Sequence, residues 1–283
     1  MRTLLLCLVL AAGSANLVQA QNPAPADSVE TVTEIELRDG SVFIGRIISE
    51  TDNELMLRTS SGTEVRIAKS QIVSRRQIRG RVSDNGFRRF DPNQTRLFFA
   101  PTGRTLDEGS AYLSAYYVFF GFLGYGVTDR FTLAGGTLLM PQAFGDLFYV
   151  APKFQVWRQD NSSVSLGLLA GVVDGETAGI TYAALTRGQP DQSVTIGLGF
   201  AFGDGDLSND PILVLGGEKQ MSRRTKFVVE AYGIPTITGG LGVLGGVRFF
   251  NSNLAADLGL VGGVGDGDSL FIPWVSFAYL FGK

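Results

Sequence analysis

The chain reads as an all-β protein: a transmembrane antiparallel up-and-down β-barrel of about twelve strands, preceded by a small β module. Three observations predict this. From Gly109 onward, runs alternating large apolar with small residues recur, separated by turn residues. Opposite each apolar face lies one rich in Gly, Ala, Ser and Thr, which suits lipid outside and a narrow polar lumen inside. The connections also sort by charge. The short ones carry Arg130, Arg158, Arg187, Arg223 and Arg224, and the alternate ones carry Asp146, Asp174, Glu176, Asp204, Asp206, Asp210, Asp266 and Asp268 with no Lys or Arg.

Composition sets the outer bounds. A chain of 283 residues with 45% hydrophobic and 18% charged residues has the material for a packed fold and is not a disordered one. Its 37 glycines are about twice the usual share of roughly 7%, with no G-X-Y period. A net charge of -3 gives no general reason to expect nucleic acid.

Taken in order, residues 1–20 have the parts of a secretory signal peptide: Arg2, the apolar run Leu4 to Ala12, and Val18-Gln19-Ala20. The only cysteine, Cys7, lies within it, so the exported chain has no thiol for disulfides or Cys metal sites. After residue 21 no apolar run reaches the ~18 residues that a membrane helix requires. Residues 21–31, with Pro23 and Pro25, read as a linker.

Residues 32–80 form the small module. Alternating Ile35/Leu37, Val42/Ile44, Leu55/Leu57 and Val65/Ile67 are separated by Asp39-Gly40, Asp52-Asn53 and Ser61-Gly62, giving four or five short strands. The pattern "LRDGSVFIGRI" followed by "LMLRTSSGTEVRI" resembles small SH3-like or Sm-like barrels. Sm-like modules can bind RNA, which an exported chain rarely meets, so no nucleic-acid partner is expected. Residues 81–108 read as a basic linker leading into the barrel. Arg75, Arg76, Arg79, Arg81, Arg88 and Arg89 form a solvated basic rim or contact anionic headgroups or cell-wall polymer.

Residues 109–283 form the barrel, with strands near 110–119, 121–128, 131–139, 147–157, 163–172, 178–186, 193–202, 211–220, 225–233, 239–249, 254–263 and 270–281. Ten strands result if the first hairpin, around "FFGF", is one bent strand. Val194, Ile196, Leu198, Phe200 and Phe202 share one face, as do Val275, Phe277, Tyr279 and Phe281. An even strand number puts both barrel ends, and the small module, on one side, taken as the periplasm. The stretch "TRLFFAPTGRTLDEGSAYLSAYYVFFGFLGYGVTDRFTLAGG" resembles the opening of an uncharacterised bacterial outer-membrane barrel family. That resemblance implies location in the bacterial outer membrane and a barrel fold, and no activity.

The chain has no histidine, so a Ser-His or Asp-His engine is excluded, no other catalytic spacing stands out, and no enzyme is expected. No cofactor is expected either, Ca2+ at the acidic loops excepted. Asp204, Asp206, Asp210, Asp266 and Asp268 are either ordinary Asp-Gly turns or hard oxygen ligands for such an ion. Lys153, Glu218, Glu230, Arg248 and Asp257 fall on the small-residue face, either as ion pairs bracing the wall or as a selectivity ring. Tyr112, Tyr116, Tyr117, Phe119, Phe120, Phe122, Phe249, Phe250, Phe277, Tyr279 and Phe281 read as interfacial girdle and lipid contacts. The function classes left are a narrow channel or passive transporter for small solutes, or a non-conducting structural or docking protein meeting periplasmic partners or peptidoglycan. A third is a secreted soluble β-sandwich binding protein. Partners are outer-membrane lipids, and a closed barrel without a free edge is expected to be a monomer.

Overall fold

The computed structural model describes residues 28–83, 86–141, 147–173, 175–203, 205–234, 241–264 and 270–282. The proposed signal peptide lies outside them.

The first sheet contains β1 (Ser28–Leu37), β2 (Val42–Glu50), β3 (Glu54–Thr59), β4 (Glu64–Ala68), β5 (Ile72–Ser83) and β6 (Gly86–Arg89), in the order β4-β3-β2-β1-β5-β6. Turn glycines Gly40 and Gly62 take φ of 83° and 86°, which a side chain would resist. A 3-10 turn, Lys69–Gln71, joins β4 to β5. Ile35, Leu55, Leu57 and Ile67 are its buried core. Irregularities at Glu36/Leu37 and Ile47/Ser49 bend β1 and β2. The sheet nonetheless stays open. Among the described residues β4 and β6 stand at its edges, and the closed SH3-like or Sm-like barrel expected from the sequence is not formed.

The second sheet is a closed barrel. It runs through β7 (Ser110–Tyr116), β8 (Phe120–Thr128), β9 (Phe131–Leu138), β10 (Leu147–Val150), β11 (Lys153–Gln159), β12 (Ser162–Val173), β13 (Glu176–Gln189), β14 (Gln192–Gly203) and β15 (Asp206–Gln220). It is completed by β16 (Thr225–Gly233), β17 (Leu241–Phe250), β18 (Leu254–Val264) and β19 (Leu270–Gly282). Both β10 and β11 pair with β9 on one side and β12 on the other, so together they make one stave interrupted at Ala151-Pro152. Proline has no N–H for the ladder, which accounts for the break. Pairing of β19 with β7, from Ser276↔Tyr116 to Gly282↔Ser110, closes a circuit of twelve antiparallel staves.

The first hairpin is sharp. Tyr117 and Val118 have φ of 49° and 68°, the two consecutive positive angles of a type I′ turn, and Phe119 N–H returns to Tyr116 C=O. The ten-strand alternative therefore falls.

Strand parity sets the faces. Along β14, Ser193, Thr195, Gly197 and Gly199 are buried while Val194, Ile196 and Leu198 are exposed. Along β19, Trp274, Ser276 and Ala278 point in while Val275, Phe277 and Tyr279 point out. The aromatic girdle needs correction. Phe119, Phe120, Phe249, Phe277, Tyr279 and Phe281 are exposed, but Tyr112, Tyr116 and Phe250 are buried and Phe122 is half-buried. Tyr112 and Tyr116 share the inward parity of β7 with buried Ser114.

The N-terminal sheet sits at the short-turn end. Arg81 Nε and Nη2 donate to Asp191 Oδ2 and Oδ1 at 2.7 and 3.1 Å, Arg76 bonds Asn253, and Arg89 bonds both Ser252 and Glu34. The basic rim is thus largely consumed in joining sheet to barrel, with Arg75 on Glu50. Arg79 and Arg88 have no carboxylate partner among the described residues. Burial, with Arg224 nearby, brings the Arg89 guanidinium down to about 10, still charged at neutral pH. The hydrogen bond from Lys69, opposed by some desolvation and helped by Arg75, holds Glu50 below the usual carboxylate range.

Candidate functional site

Phe90 to Glu108, expected as a linker, instead runs through the lumen. It has no period-2 pattern, and the buried Leu97, Phe98, Ala100 and Leu106 lie among polar residues. Leu97 N–H bonds Ala100 C=O at 2.8 Å and Thr102 N–H bonds Thr95 C=O at 3.0 Å, folding the segment into a tight hairpin with Phe98-Phe99 at its tip.

The wall satisfies this plug group by group, as buried backbone demands. Glu230 accepts the N–H groups of Phe99 and Ala100, both at 3.0 Å. Gly103 N–H donates to Thr186 Oγ1 at 2.8 Å, and Gln155 Nε2 donates to Gly103 C=O at 2.8 Å. Lys153 Nζ donates to Thr95 C=O at 2.7 Å. Charge completes the seat: Lys226 Nζ lies 2.9 Å from Asp91 and 2.8 Å from Glu218, and Arg104 Nη1 reaches Glu218 at 2.7 Å. Arg248 Nε is 2.6 Å from Asp257 Oδ1, its Nη1 is 2.9 Å from Asp91, and Ser276 Oγ donates to Asp257 at 2.6 Å. Wall glycines give the plug room. A Cβ at Gly216 would strike Leu97, and one at Gly126 would strike the Asp107 carbonyl.

The five lumen charges read from the sequence are therefore all buried, and they do not ring an open bore. Asp91, Arg96 and Arg104 were missed because they belong to the plug. Lys226 shares the parity of Glu230 on β16 and was findable by the same rule. Asp206 and Asp210 are exposed on β15, whereas Asp204, Asp266 and Asp268 lie outside the described residues. Among the described residues no three His, Cys, Asp or Glu side chains are grouped to hold a metal.

Beyond the plug tip the lumen changes character. A cavity of about 620 Å³ is walled by Tyr116, Phe122, Tyr149, Tyr232, Trp274 and the plug's Phe99, with aliphatic Leu169, Ile180, Leu244 and Val261. Tyr116 meets Phe122 edge-on at 5.5 Å, and Tyr117 meets Trp274 at 5.1 Å. This half is apolar where a polar lumen was expected.

The fold is a twelve-stranded barrel closed by its own chain. No family and no curated protein matches the sequence. Solved structures similar to it include the KdgM porin in complex with disordered oligogalacturonate (11% identity, 61% of this chain and 98% of that one, TM-score 0.43). Others are the NanC porin (12%, 62% and 99%, 0.42) and a loop-deletion mutant of OmpT, an outer membrane protein of Vibrio cholerae (13%, 90% and 100%, 0.35).

Proposed function

We propose that the protein is a bacterial outer-membrane barrel of the channel type, shut by its own N-terminal plug, through which small solutes pass only when residues 90–106 leave the lumen. The single observation that carries this is the ion-paired seat of the plug, in which Asp91 and Arg104 are held by charges of the wall. The membrane location is supported by the outer wall, where Leu123, Leu133, Phe154, Leu166, Ile196, Leu215 and Leu260 are exposed around the circumference. Short turns at the end carrying the N-terminal sheet favour the periplasmic side for that sheet. This open six-stranded sheet, anchored to the barrel rim, suits a small docking module.

Planar-bilayer recording compares the full chain with a variant in which residues 91–106 are replaced by a Gly-Ser linker. The full chain is expected to be closed and the variant to give discrete conducting steps. An open full chain, or two silent proteins, rejects the plugged-channel reading. Two silent proteins favour the second reading, a docking barrel, for which Arg79 and Arg88 supply free positive charge toward peptidoglycan or an acidic periplasmic partner.

A further inference from the structure

The apolar chamber above the plug continues into a smaller one of about 160 Å³, the two sharing Phe99, Tyr116, Phe122, Leu169, Ile180 and Tyr232. The smaller chamber adds Arg96 and Lys153 to its lining. Neither cation is well neutralised. Among the described residues Lys153 Nζ bonds only the carbonyls of Thr95 and Thr102. Arg96 Nη1 bonds Phe98 C=O and lies 3.4 Å from Asp257, whose oxygens are already held by Arg248 and Ser276. Arg96 Nε and Nη2 are buried and have no hydrogen-bond partner among the described residues. These two groups form one edge of the guanidinium, the pair of parallel donors that a carboxylate accepts side-on. The guanidinium is fixed 4.7 Å over the Tyr116 ring, so its rotation is limited. Trp274 Nε1, on the chamber wall, is likewise buried without a partner.

We propose that the outer half of the lumen binds an amphiphilic carboxylate, its apolar body among the aromatic rings and its carboxylate beside Arg96 and Lys153, where both line the smaller chamber. The larger chamber lies within the roughly 300–1,000 Å³ of ordinary small-molecule sites, and its near absence of polar lining disfavours sugars and other hydrated solutes. A neutral apolar compound would leave both cations without a counter-charge. The site needs the plug seated and does not need the barrel to conduct, so silence in bilayer recordings leaves it standing.

The chain's two tryptophans supply the test, because Trp157 is exposed on the outer wall and Trp274 is buried at the chamber. Full-length protein carrying Trp157→Phe, folded in detergent, is titrated with 12-bromododecanoate and with the brominated alcohol of equal length. Quenching of Trp274 should saturate, with the carboxylate binding at least ~10-fold more tightly than the alcohol. In Trp274→Phe, Trp157 should show only unsaturable quenching through the detergent belt. Arg96→Gln should abolish the preference for carboxylate, and Leu169→Phe, which narrows the chamber without touching the ion pairs, should weaken both probes. Equal affinity for acid and alcohol overturns the proposal. So does Trp274 quenching that follows Trp157, or a preference that survives in Arg96→Gln.

Discussion

Arg248 bonds Asp91, Asp257 and the carbonyls of Asn93, Arg96 and Leu97, so one guanidinium ties β17, β18 and the plug together. Removing one member of such a fully buried pair leaves the others uncompensated, at about 3–5 kcal/mol. Arg248→Gln is therefore expected to lower unfolding stability by that amount in a urea titration of the folded barrel, whereas the exposed pair Arg58–Glu64 should contribute under about 1 kcal/mol. Gly216 offers a test without charge. Its missing side chain is where Leu97 sits, and Gly216→Val is expected to eject the plug hairpin. Trypsin should then cut at Arg96 and Arg104, which are protected in the parent. The parity of these residues was legible in the sequence, since a strand's period of two sends Glu218, Glu230, Arg248 and Asp257 inward once its limits are known. Tyr112 and Tyr116 were misjudged because an aromatic ring suits a lipid interface and an apolar cavity equally, and only the register on β7 separates the two.

Among elements, the strands were readable and the plug was not. Twelve runs of alternating residues announce themselves locally, and the sharp turn at Tyr117-Val118 was the one hairpin left ambiguous. The plug's partners lie far along the chain, as with Asp91 and Arg248 or Phe99 and Glu230, so no local pattern betrays them. Its clues were an unpaired stretch, "FDPNQTRLFFAPTGRT", and inward charges on the wall with too few partners there. The fourth stave was likewise read as continuous across Pro152. The bond between Arg81 and Asp191 joins the N-terminal sheet to the rim. Arg81→Ala should loosen that sheet and speed proteolysis within residues 72–89 while leaving the barrel's resistance unchanged, a difference visible as a stable barrel fragment on gels.

For the whole molecule, the outer wall decides the solvent. Leu260, midway along β18, is half exposed, and Leu260→Arg is expected to reduce folding stability in lipid vesicles by about 2–4 kcal/mol, against near zero in a soluble sandwich. The parent should also migrate differently on gels before and after boiling, as a closed barrel that resists detergent. The seam between β7 and β19 joins the first stave to the last, and the plug precedes both in the chain. Like the contents of a cask whose last stave has been hooped in place, the peg has no side door, and it can enter or leave only through an end. Contents and cargo must therefore share one mouth, and the strip tethering the peg to the first stave decides how far it can be drawn out.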